Sequence, residues 1–112
     1  MIEGKSGLAI IRHALMDDLL AAMRVKDIGS QQFRALMDRA ALILAVEAMR
    51  TLAVRPVQIS APFGSCSGFA LRRPPIFISV LRAGNALLQA FTTLVPQGQV
   101  GFIGLERNPQ TL

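Results

Sequence analysis

Apolar residues recur along the first half of the chain at helical spacing. Leu8, Ile11, Leu15, Leu19 and Ala22 fall three and four apart, which predicts a first helix over residues 7–23. Asp27 to Ser30 interrupts the pattern, and Ser30 is placed to cap a second helix. Phe33, Leu36, Met37, Ala40, Leu44 and Ala48 form the apolar face of that helix, which should run to about Thr51. From Ala53 to Pro75 the periodicity is lost, because proline, glycine, serine and arginine break every apolar run. Val57 to Ser60 and Gly68 to Leu71 can pair across APFGSCS as a hairpin, which reads as a protruding arm.

After Pro74 and Pro75 the pattern changes again. Ile76 to Leu81 is short, bounded and rich in Ile, Phe and Val, as a buried strand should be. Arg82, Ala83 and Gly84 form a turn, and Ala86, Leu87, Ala90, Phe91 and Leu94 give one face of a helix starting near Asn85 and stopping before Pro96. Gln99 to Leu105 makes a second strand. Strand, helix, strand with short loops is a right-handed βαβ unit with parallel strands. The fold class is therefore α/β, and no internal repeat marks a second domain.

Composition narrows the chemistry. With 52% hydrophobic residues in 112 and only 17% charged, the chain has the material for a core, and 5% aromatics without Trp or Tyr make that core aliphatic. Aromatic platforms for single-stranded nucleic acid are not expected. The net charge of +5 points to an anionic partner, but the twelve Lys and Arg are scattered. Scatter suits a phosphorylated small molecule better than a nucleic-acid backbone. One cysteine, Cys66, read as a loop thiol, and one histidine, His13, read as a helix-surface imidazole, supply neither a disulfide nor a zinc set. The start of the chain is unlike a signal peptide, and the apolar run of residues 40–46 is too short for a bilayer, which needs about twenty residues. A cytoplasmic protein without nucleic-acid or membrane partners is the expectation.

The two arginines that follow the two strands stand out. In a parallel sheet Arg82 and Arg107 emerge from one edge, the edge at which open α/β sheets bind ligands. Adjacent strands lie about 4.8 Å apart, so two guanidinium forks there can converge on one phosphate group. Ala83 and Gly84 would let backbone amides approach an anion beside the N-terminus of the following helix. By geometry this is a phosphate or diphosphate cradle, and the alternative reading of the same arginines is a pair of solvated charges or ion-pair partners. Arg12, Arg24, Arg34, Arg39, Arg50, Arg55, Arg72 and Arg73 default to solvated faces.

These residues also carry a family likeness. LRAG at 81–84 and VGFIGLERNPQTL at 100–112 resemble segments of the uracil phosphoribosyltransferases, as does HALMDDLLAAMRVKDIGSQQFRALMDRAALILAVEAMRTL at 13–52. The chain is similar to the N-terminal part of such an enzyme, which implies a partial type I phosphoribosyltransferase-like fold. One incomplete domain over 1–112 is expected, with a helical part at 1–52, the arm at 53–75 and the βαβ unit at 76–112. The resemblance implies transfer of the phosphoribosyl group of 5-phospho-α-D-ribose 1-diphosphate (PRPP) to uracil, giving UMP and diphosphate with Mg2+. It places the PRPP contacts on Arg82 and Arg107, with Ala83 and Gly84 in the same loop, and assigns no catalytic side chain or metal ligand. It further implies a homo-oligomer and leaves GTP open as an allosteric activator. Asn85 stands where the family is usually apolar, Pro109 where an acidic residue is common, and Val46 where a tyrosine is frequent. Neither the family's D-P-x-x-A-T-G-G-S type loop nor its G-D-A-G-D type uracil segment is present, so the 112-residue chain is expected to be truncated and inactive alone. The rival expectation is a non-catalytic oligomerisation or interaction module derived from that fold.

Overall fold

The computed structural model describes residues 2–5 and 7–110, and side chains from residue 7 onward. The chain runs β1 (Ile2–Lys5), β2 (Leu8–Ile11), α1 (Ala14–Met23), α2 (Ser30–Ala48), β3 (Val54–Ala61), β4 (Gly64–Leu71), β5 (Ile76–Leu81), α3 (Asn85–Leu94) and β6 (Gln99–Gly104). It is an α/β molecule with three separate two-stranded sheets.

The first helix is shorter than its periodicity suggests. Residues 8–11 are strand β2, paired antiparallel with β1 so that Gly4 faces Ala9 and Lys5 faces Leu8. A four-residue apolar run carries no period of its own, and pairing with β1 decides it. Helix α1 starts only after His13, whose Nδ1 accepts the Leu15 N–H at 3.1 Å. This imidazole is an N-cap, not an idle surface group. Leu15 faces solvent, and Met16 and Leu19 are the residues of α1 that are buried.

Helix α2 is the centre of the molecule. Its N-cap is Gly29, in extended conformation, and Ser30 is the first helical residue rather than the cap; the helix ends at Ala48, three residues before Thr51. One side of α2 packs Leu36 and Ala40 against Met16 and Leu19 of α1. The other packs Ala41 and Ala45, both fully buried, against Ala90 of α3, with Met49, Leu87 and Phe91 around them. Small side chains let α2 and α3 approach closely. At the end of α2, the buried Glu47 carboxylate accepts from Arg50 Nε at 3.0 Å and from a terminal guanidinium nitrogen at 2.5 Å. Arg50 is thus one half of an ion pair, not simply a solvated charge.

The arm forms with longer strands than expected. β3 and β4 pair antiparallel from Val54 with Leu71 to Ala61 with Gly64, and include the pairing of Val57 with Gly68. Pro62 and Phe63 make the two-residue turn, and Gly64 follows it at φ 121°, a conformation glycine adopts without strain. Cys66 lies within β4 opposite Ile59, exposed on a strand rather than in a loop. The molecule is elongated, 61 × 34 × 32 Å, with Phe63 fully exposed at the arm tip.

β5 and β6 pair in parallel, Ile76 with Gln99 through Leu81 with Gly104, joined by α3. This confirms the βαβ unit, with β6 ending one residue before Leu105. Phe77 meets Phe91 of α3 with ring centroids 5.3 Å apart, fixing the strand to the helix. The expected burial of β5 does not hold. Only the face carrying Phe77, Ser79 and Leu81 is covered, while Ile76, Ile78 and Val80 are exposed. Parallel sheets normally have both faces covered; here a single helix covers one face of β5, and Val100 and Phe102 on the same side of β6 stay exposed.

Candidate anion site at the sheet edge

The register places the candidate residues. Leu81 and Gly104 are paired at the carboxyl ends of their strands, so Arg82 leaves the sheet one residue beyond that edge and Arg107 three residues beyond it. Both are exposed. Among the described residues neither takes part in an ion pair. The structure thus brings the two arginines to one edge with their charges uncommitted. A groove of about 400 Å³ along β5 and α3 is apolar and reaches Gly84, and neither arginine lines it. The site is an open rim.

The Arg82–Gly84 loop is tightly folded. The Leu81–Arg82 peptide is cis. The Gly84 N–H donates to the Val80 carbonyl at 2.8 Å, and the amides of Asn85, Ala86 and Leu87 donate to the carbonyls of Arg82, Ala83 and Gly84 at 3.1 to 3.2 Å. Those four amides, Gly84 to Leu87, already have acceptors. The helix N-terminus therefore offers an anion less than the sequence suggested, and the loop's main resource is the pair of guanidiniums with the Arg82–Ala83 backbone.

Gly84 is needed for a steric reason. A Cβ there would lie 2.6 Å from the Val80 carbonyl oxygen, 2.8 Å from its nitrogen and 3.0 Å from Ser79 Oγ. Its φ of −60° and ψ of −23° suit any residue, so it is the missing side chain, not backbone freedom, that lets the loop close. A bond between two neighbours escaped the sequence reading. Ser79, 4% exposed, donates from Oγ to Asn85 Oδ1 at 3.0 Å, tying β5 to the start of α3. The available signal was a lone hydroxyl inside an apolar strand, six residues before an amide where an apolar residue was expected.

Two short apolar strands in parallel, joined by a crossover helix and followed by basic residues past their carboxyl ends, define an α/β protein of the kind that binds ligands at a sheet edge. The comparisons take the class further. The family model for uracil phosphoribosyltransferase matches residues 10–112. A uracil phosphoribosyltransferase of Kocuria rhizophila is 39% identical over 106 residues, covering 94% of this chain and 50% of the relative. One from Legionella pneumophila (strain Lens) is 38% identical over 104 residues, covering 92% and 49%. Among solved structures, the AQ2163 protein from Aquifex aeolicus superposes with a TM-score of 0.79 at 25% identity, covering 91% of this chain and 50% of that one. The chain belongs to the uracil phosphoribosyltransferase family, and its fold is a partial phosphoribosyltransferase-like one. It spans about half the length of the curated relatives it matches.

Proposed function

We propose that this chain carries the diphosphate grip of a uracil phosphoribosyltransferase, with Arg82 and Arg107 binding the diphosphate of PRPP and Ala83 and Gly84 shaping the loop between them. The observation that carries this reading is the parallel register, which sets both arginines at one sheet edge in a chain of that family. In the proposed reaction the bond between ribose carbon 1 and the diphosphate oxygen breaks while uracil N1, losing its proton, bonds to that carbon. The products are UMP and diphosphate. Negative charge gathers on the departing diphosphate, and guanidiniums already in place stabilise it without reorganising. Among the described residues no group of three or more His, Cys, Asp or Glu could hold a metal ion. Magnesium is proposed to arrive bound to the diphosphate, as part of the substrate.

We further infer that residues 1–52, 53–75 and 76–112 act as one phosphoribosyltransferase unit that self-associates. No helix among the described residues is long and apolar enough to cross a membrane, so the exposed apolar surface is proposed to meet protein. A compact protein of 12.1 kDa exposes about 6,000 Å², whereas this chain exposes 9104 Å². An excess of roughly 3,000 Å² per chain amounts to about 6,000 Å² for a pair, at the large end of what obligate interfaces bury in total. Sedimentation velocity should show a dimer or larger species, and a monodisperse monomer at tens of micromolar would refute this part.

Calorimetric titration of the chain with PRPP and magnesium tests the grip. Loss of one charge-assisted contact, at about 1.5–3 kcal/mol, should weaken binding roughly 10- to 150-fold in Arg82→Ala and in Arg107→Ala. No heat with the unaltered chain, or equal affinity in all three proteins, would favour a non-catalytic interaction module.

A further inference from the structure

We propose that Ser79 and Asn85 form a polar latch that holds the Arg82–Gly84 loop in shape, making both of them positioning residues for the anion site; this rests on the diphosphate reading above. Ser79 is the only polar residue of β5, and it is buried on the face turned toward α3. Its hydroxyl donates to Asn85 Oδ1 at 3.0 Å. Asn85 is the first residue of α3, and Gly84, the N-cap, has no side chain with which to cap it. Asparagine at a helix start ordinarily bonds to local backbone. Here it reaches instead across the loop to the strand.

Residues 79 and 85 bracket the loop, so their bond closes a ring around Leu81 to Gly84. The loop backbone lies directly over the hydroxyl, since a Cβ on Gly84 would be 3.0 Å from Ser79 Oγ. A second tie, the Gly84 N–H to the Val80 carbonyl at 2.8 Å, runs alongside. Two bonds fix both ends of the turn that starts with Arg82. Without the amide acceptor, the Ser79 hydroxyl is left buried and unsatisfied, which favours opening of the loop toward water. A guanidinium one residue beyond a strand end has its origin set by that loop, and a loosened loop spreads the positions from which Arg82 reaches out.

The test compares Asn85→Ala and Ser79→Ala with the unaltered chain by amide hydrogen exchange and by titration with magnesium diphosphate. Asn85 is exposed, so its variant keeps the fold should burial make Ser79→Ala unstable. Loss of one hydrogen bond should speed exchange in peptides covering 81–86 about 5- to 10-fold, and weaken diphosphate binding by a similar factor. Exchange in α2 should not change, and a destabilising change on the α1 side of α2, Leu36→Ala, should leave diphosphate affinity intact. These controls separate positioning from general stability. Unchanged exchange across 81–86 in Asn85→Ala would overturn the latch, and faster exchange with full diphosphate affinity would overturn its role in the site. Should the unaltered chain not bind diphosphate, the site reading fails on its own. The exchange measurement then decides whether the pair holds the loop.

Discussion

Substituting Gly84 by alanine adds one methyl group at the point where the loop presses on β5. The new carbon would sit 2.6 Å from the Val80 carbonyl oxygen and 2.8 Å from its nitrogen, about an ångström inside the 3.5–4.0 Å at which non-bonded heavy atoms attract. Both clashing atoms are backbone of a paired strand and cannot rotate away. The oxygen is also the acceptor for the Gly84 N–H, so lifting the loop to relieve the clash stretches that bond. Overpacking of this kind costs about 1–3 kcal/mol and the bond about another 1 kcal/mol, for a total near 2–4 kcal/mol. At about 4–8 °C per kcal/mol in a domain of this size, the melting temperature should fall by roughly 10–30 °C. Gly104→Ala is the matched control. It lies at the same sheet edge with no atom within 4 Å of its added Cβ, and should change stability by no more than about 0.5 kcal/mol. Urea denaturation followed by circular dichroism, at one fixed protein concentration, measures both. If the two variants unfold within 0.5 kcal/mol of each other, the steric account of the loop is wrong.

Other outcomes follow from the helices. Ala45→Leu places three extra carbons in the fully closed seam of α2 against α3; it should lose about 1–3 kcal/mol in the same denaturation assay, while Ala35→Leu on the exposed side of α2 should be neutral. The Arg50 guanidinium, hydrogen-bonded to Glu47, holds that carboxyl below its ordinary value of 4.5. A carboxyl with a lowered folded-state value stabilises the fold fully above the ordinary value, and that contribution disappears as pH falls through the lowered one. Melting temperatures of the unaltered chain and of Glu47→Gln should therefore differ most near neutrality and converge as pH drops below 4.5; a gap that stays constant down to strong acid would show that the ion pair is not its source.

The βαβ unit was legible because its signals are local: a bounded apolar run, a turn with Gly84, a face of α3 at helical spacing, and Pro96 to stop it. The arm was legible for a similar reason, since the break in periodicity at Ala53 is abrupt. What failed depended on partners distant in sequence or on none at all. Residues 8–11 could extend α1 or pair with β1, and four apolar positions cannot decide between periods of 2 and 3.6. Apolar pattern identified Ile76, Ile78 and Val80 as wanting cover but could not say whether this chain provides it. Arg82 and Arg107 could be placed beyond one sheet edge because strand ends are visible in sequence. The internal use of the amides from Gly84 to Leu87, and the bond from Ser79 to Asn85, arise only once the loop folds back on β5.

The proposed site and the bare sheet face belong to the same two strands, so what covers the face bears on the proposed grip. Ile76, Ile78 and Val80 lie on the uncovered side of β5, and Ile103, paired with Val80, shares that side. With water against that face and around the rim, the guanidiniums of Arg82 and Arg107 act in a high dielectric, which holds each charge-assisted contact near the low end of its range of about 1.5–3 kcal/mol. Covering the face would exclude water and strengthen each contact with diphosphate. Diphosphate binding to the chain by itself should then weaken steeply as salt rises from about 0.01 to 0.15 M, over which the screening length falls from about 30 to 8 Å. Protein held at concentrations where it associates through this face should show a shallower salt dependence. An identical slope at low and high protein concentration would mean that the sheet face and the arginine grip are energetically independent.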